Sequence, residues 1–140
     1  FIPTAGKKAF FVCRFKVSNA TQTDVLVGIA DTFTSFTPAE GLYFLKSDES
    51  TSVSLVLNKA SAITTLTGVA TLVDDTFIEL AWVYDGFTKV EVFVDRIRRV
   101  NQTTLTNVPT AVTGVALGVR AGSADARTLT VDYVLAAVER

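Results

Sequence analysis

A chain of 140 residues with 49% hydrophobic and 19% charged residues is long enough for one domain with a sizeable core, and too apolar for disorder. Its net charge of −1 argues against a nucleic-acid binder or a basic membrane-surface helix, and no apolar run approaches the ~18 residues of a membrane span. The absence of histidine removes Ser-His-Asp, Cys-His and His-based metal chemistry, and the single cysteine removes an internal disulfide or a thiolate zinc cluster. No linker-like run divides the chain, so we read residues 1–140 as one domain. A chain that starts at Phe1 and contains no Met is expected to lack its native N-terminal residues.

The first predicted strand, Lys8 to Val17, alternates with Phe11, Cys13, Phe15 and Val17 on one side and Arg14 and Lys16 on the other. Cys13 therefore reads as a buried small hydrophobe, with no base to activate it. A polar turn over 18–24 leads to a strand from Val25 to Ala30, in which Gly28 marks a bulge or close packing. The stretch from Thr32 to Gly41 is a loop, with Phe33 and Phe36 expected to tuck onto the sandwich edge. Leu42 to Lys46 is apolar on both faces, the mark of a central or partner-covered strand. Val53 to Leu57 is a further strand, and the Thr- and Val-rich Ala62 to Val73 one or two more, with one wet face.

Thr76 to Val100 holds two apolar runs that meet at Asp85-Gly86, a strong hairpin signal. Ile78, Leu80, Trp82 and Tyr84 on one run and Val90, Val92 and Val94 on the other are the expected core set. A two-residue turn would mix the faces, so the loop must have odd length. A three-residue loop 84–86 sets Trp82 against Thr88 and Leu80 against Val90; a slid register pairs Trp82 with Val90. The second run carries on into the basic residues Arg96, Arg98 and Arg99. After a loop fixed by Pro109, Val112 to Ala121 and Arg127 to Val138 are the closing strands. Ten to twelve short strands and no capped helical periodicity define an all-β antiparallel β-sandwich of the jelly-roll kind.

Glycoside hydrolysis needs only two carboxylates across a sugar site, and Glu91 and Asp95 share a strand face. Phe93 occupies the place of the middle acid in the denser E-x-D-x-x-E type cluster of glucanases, so no catalytic residue is assigned and a non-enzymatic protein is expected. Asp48, Glu49, Asp74 and Asp75 read as turn formers rather than Ca²⁺ ligands, and no metal or cofactor is expected. Asn19-Ala20-Thr21 and Asn101-Gln102-Thr103 match the glycosylation pattern, a match that comes cheaply in a Thr-rich chain. Arg96, Arg98 and Arg99 form either a solvated or acid-paired strand end, or a contact with an acidic protein neighbour. With the alternating set facing the core, Phe77, Ala81, Val83 and Phe93 are left together on the opposite face. Monomers rarely leave so apolar a patch in water, so this face, with the three arginines, is the expected subunit or partner interface.

The order of pieces in DGFTKVEVFVDRIRRV, the loop into NVPT and GVALGVRAGSADARTLTVDYVLAAVER resembles the concanavalin A-like (lectin/laminin-G-like) jelly rolls of tailed-phage structural proteins. FFVCRFKVSNATQTDVLVGIAD and EGLYFLKSD are similar to their opening strands. The resemblance implies a virion protein that decorates or cements the capsid surface. Its partners would be the major capsid protein or another virion protein and its own copies, with a trimer favoured. The same fold hosts carbohydrate binders, for which Tyr43, Phe87 and Tyr133 are the candidate glycan contacts. The missing histidine argues against the legume-type metal site.

Overall fold

The computed structural model describes residues 1–32 and 36–140. Ten strands follow in chain order: β1 (Ala9–Val17), β2 (Thr23–Ala30), β3 (Gly41–Lys46), β4 (Ser52–Lys59), β5 (Ala62–Thr71), β6 (Ile78–Tyr84), β7 (Val90–Val94), β8 (Ile97–Gln102), β9 (Gly114–Ala121) and β10 (Leu129–Val138). They form two five-stranded sheets, sheet A in the order β10-β1-β6-β7-β8 and sheet B in the order β5-β4-β3-β2-β9, with every pairing antiparallel. The sheets pack face to face as the predicted β-sandwich.

Period-two alternation decides what lies between them. Sheet A sends in Phe11, Cys13, Phe15 and Val17 from β1, and Leu80, Trp82, Val90 and Val92 from the central hairpin. Sheet B meets them with Val25, Val27 and Ile29, Leu42 and Phe44, and Val53, Leu55 and Leu57. Trp82 stacks on Phe11 with ring centroids 6.0 Å apart. The core parity expected for the hairpin therefore holds at each of its positions, and the Leu42 to Lys46 segment is the central strand of sheet B.

The hairpin register differs from both sequence expectations. Trp82 pairs with Val92, Leu80 with Val94 and Tyr84 with Val90, so the loop is odd in length but five residues long, from Asp85 to Lys89. Asp85 holds it closed. Its Oδ1 accepts the N–H groups of Phe87 and Thr88 at 2.8 Å and of Lys89 at 3.1 Å, and its Oδ2 accepts the Thr88 hydroxyl at 2.7 Å. This register also removes the Glu79–Glu91 opposition that a shorter loop would impose: Glu91 lies across from Val83.

The basic tail does not continue β7. Asp95 and Arg96 take φ values of 49° and 67°, a left-handed pair that turns the chain back as β8. Ala60 and Ser61, at 49° and 67°, make the same kind of turn between β4 and β5. Ala62 to Val73 contains one strand, β5, bulged around Gly68, whose φ is +69°. Gly28 marks close packing rather than a bulge: it pairs with Tyr43, and an added Cβ would fall 2.4 Å from the Tyr43 Cα.

Candidate functional site

The outer face of sheet B is divided in two. Over β2, β3, β9 and the adjoining part of β4, Leu26, Ala30, Tyr43, Val56 and Ala116 are buried although they point away from the core, because Phe36 and Leu45 pack on them. The Arg120 guanidinium lies 5.0 Å from the Phe36 ring centre and also pairs with Asp24 at 2.8 Å. Phe36 thus covers the face of sheet B rather than the sandwich edge. Phe33 lies outside the described residues.

Beside this cover, over β3, β4 and β5, the face opens into a groove of about 350 Å³. Leu45 and Ile63 supply apolar surface above the buried Val56 and Tyr43 ring; Ser52 and Ser54 on β4 and Thr65 and Thr67 on β5 supply hydroxyls, with Thr37, Ser47 and Ser50 at the ends. The pattern follows from alternation: Val53, Leu55 and Leu57 go into the core, so Ser52, Ser54 and Val56 face out, and Thr65 stands across from Val56. None of the described residues lining the groove carries a charge. Such a surface offers paired donors and acceptors beside aliphatic carbon, which suits a polyhydroxylated ligand with an apolar side.

The outer face of sheet A is of another kind. Ala81 stands across from Phe93 on one side and Val12 on the other, and Val12 from Leu135. The next row runs from Ala137 through Phe10 to Val83. This makes an apolar stripe four strands wide, with Leu135 55% exposed at its edge. Ion pairs border it: Glu91 with Lys89 at 3.0 Å and Arg98 at 3.1 Å, and Arg14 with Asp132. Glu79 accepts the Tyr133 hydroxyl and the Arg96 guanidinium. The hydrogen bond to Glu79, with some burial, raises the Tyr133 pKa, and Lys89 and Arg98 hold the Glu91 carboxyl below its ordinary range.

The sequence-derived interface residues are thus partly brought together. Ala81, Val83 and Phe93 lie in the stripe; Phe77 is beside it, beneath the Arg14 guanidinium at 4.4 Å and the Lys16 ammonium at 5.6 Å. Arg96 and Arg98 face the same side as acid-paired groups. Arg99 does not: it lines a separate cleft between the β5 edge and β7–β8, with Val69, Ala70 and Asp95. The three candidate glycan contacts do not converge. Tyr43 is 1% exposed and lies under the groove, Phe87 is 73% exposed at the β6–β7 loop, and Tyr133 is on sheet A. Glu91 and Asp95 form no carboxylate pair, because Asp95 sits in a turn and accepts the Glu79 N–H at 2.9 Å.

Sequence reasoning missed Phe10, Val12, Leu135 and Ala137 on sheet A and the serines and threonines of the groove. The first group was legible in the alternation of AFFVC, where Phe10 and Val12 oppose Phe11 and Cys13. SVSLV and ITTLT carried the signal for the second.

No protein-family model and no curated protein sequence matches the chain. Solved structures do match in fold. The alginate lyase AlyC3 aligns over 100% of this chain and 68% of its own, with a TM-score of 0.63 and 8% identity. A native glycosidic hydrolase aligns over 94% and 64%, with a TM-score of 0.64 and 12% identity. Sheep galectin-11 aligns over 98% and 100%, with a TM-score of 0.54 and 14% identity. The chain therefore shares the antiparallel jelly-roll sandwich fold of these lectin and lyase structures, as expected, and spans about two thirds of the lyase and hydrolase chains.

These likenesses correct the expectation of a protein without enzymatic activity. The same architecture carries a lyase and a glycosidic hydrolase, so the exclusion does not stand. It rested on the absence of histidine and of a glucanase-type acid cluster, whereas a tyrosine can also move protons. The likenesses are to carbohydrate-active and lectin folds; they carry no sign of a virion.

Proposed function

We propose that this chain is a lectin-like module that takes a short stretch of glycan in the groove over β3, β4 and β5. The observation that supports it is the groove itself, with hydroxyls of Ser52, Ser54, Thr65 and Thr67 beside Leu45, Val56 and Ile63 in a volume of about 350 Å³. That volume is at the lower end of small-molecule sites, enough for one or two sugar rings. The fold adds only analogy. Nuclear magnetic resonance titration of the labelled protein with a panel of mono- and disaccharides tests it. Shifts should concentrate at the four hydroxyl residues and disappear in Thr65→Arg, which fills the groove from an exposed edge strand. Shifts elsewhere, or none, overturn the reading.

The apolar stripe on sheet A favours a second reading, compatible with the first: the module is a virion component that decorates or cements the capsid surface. Phe10, Val12, Phe93 and Leu135 would seat it on neighbouring capsid subunits and the groove would face outward. Immunogold labelling of particles from the source culture, with recovery of the protein in purified virions, is the expected result. Particles free of it remove this reading and leave the first untouched.

A further inference from the structure

We infer that the groove over β3, β4 and β5 selects neutral sugars that carry a methyl substituent, an inference that rests on the reading of that groove as the glycan site. Its charge decides the first half. No described residue lining the groove is charged, and the one lysine of β3, Lys46, points the other way, into the sandwich, where its ammonium donates to the carbonyls of Thr21 and Thr23. A uronate carboxylate entering the groove would lose water and meet no cation, an unfavourable exchange. Hydroxyls of Ser and Thr donate and accept, which matches the hydroxyls of a neutral ring.

The apolar part decides the second half. Sugar rings are commonly held against an open aromatic face, but the Tyr43 ring is buried beneath the surface and the groove has no other aromatic among its described residues. What it presents is aliphatic: Leu45 and the 53% exposed Ile63, with Val56 buried beneath them. A plain hexose would set a hydroxymethyl group against these carbons. A 6-deoxyhexose, or the acetyl group of an N-acetylhexosamine, sets a methyl there. Burying one methyl strengthens binding about fourfold.

The test is a titration of the intact 140-residue chain with the methyl glycosides of fucose, rhamnose, N-acetylglucosamine, glucose, galactose and glucuronic acid, read by amide shifts and by saturation transfer to the sugar protons. At least one methyl-bearing sugar should bind about fourfold more tightly than glucose and galactose, with transfer strongest at its methyl protons and no response from the glucuronide. The fucose and rhamnose arms against the N-acetylglucosamine arm identify the source of the methyl. Ile63→Ser should erase the preference for the methyl-bearing sugar over glucose and galactose. Binding of the glucuronide to the wild type, or a methyl preference that is absent or survives Ile63→Ser, overturns the inference and leaves the groove a glycan site. Silence at every groove residue with all six glycosides removes the glycan reading, and the inference with it.

Discussion

Gly28 stands directly across from Tyr43 in the β2–β3 pair, so close that the Tyr43 backbone occupies the space a side chain would need. The contact holds Tyr43 down beneath the groove. Gly28→Ala forces backbone apart, because the nearest atom is a Cα at 2.4 Å. It is expected to cost about 3 kcal/mol or more, measured by urea denaturation, and a loss under 1 kcal/mol would show that the sheet yields there.

Asp85 gives the central hairpin a pH dependence. Burial pushes its pKa up, but the hydrogen bonds from the Thr88 hydroxyl and from the N–H groups of Phe87, Thr88 and Lys89 outweigh it and hold the carboxyl well below the ordinary range. Its folded value is therefore depressed, so the stabilisation is complete above the unfolded value of 3.8 and is lost as pH falls through the folded value. Asp85→Ala should lose roughly 1–2 kcal/mol at pH 7 and flatten the acid limb of the stability profile. An unchanged acid limb would exclude Asp85 as its source.

The Ala60-Ser61 turn holds two non-glycine residues in left-handed conformation. Ala60→Asn with Ser61→Gly supplies the residues such a turn favours, and should stabilise the protein by about 1–2 kcal/mol. Thermal unfolding of the double variant checks this, with a raised midpoint and unchanged circular dichroism as the expected result.

Cys13 faces the core between Phe11 and Phe15, and burial pushes its thiol up to about 12. It should resist alkylation by iodoacetamide at pH 8 in the native state and react fully in denaturant. Rapid native labelling, followed by mass spectrometry, would mean that β1 opens locally.

Leu135 and Phe93 lie in one row of the sheet A stripe without filling the core. If the stripe seats further copies of this chain, the wild type should run as an oligomer in light scattering at micromolar concentration. Leu135→Glu with Phe93→Glu should then run as a folded monomer. A wild type that is monomeric throughout would reserve the face for a different protein.

Which side chains face inward was legible in the chain, because alternation is local: Ile78, Leu80, Trp82 and Tyr84 share one side of their strand, and Val90, Val92 and Val94 one side of theirs. Register was not. It depends on how many backbone groups Asp85 can gather, and Phe87, Thr88 and Lys89 are ordinary residues until the loop closes on it. β8 was hidden for a related reason, since Asp95-Arg96 turns left-handed without a glycine to announce it. The groove required knowing that β3, β4 and β5 are neighbours and that Phe36 covers the adjoining half of the face. Its serines and threonines read as a wet face and nothing more.

β1 lies between β10 and β6, with Ala9 across from Val138 and the Lys8 amide bonded to the Glu139 carboxylate. The start of the first strand and the end of the last therefore meet at one corner of sheet A. Tension applied across those two points loads the β1–β10 ladder one hydrogen bond at a time, from Ala9–Val138 inward, rather than all at once along its length. The last strand would peel away at low force while β1 stayed paired with β6. Mechanically, the domain is a zipper with its pull at that corner.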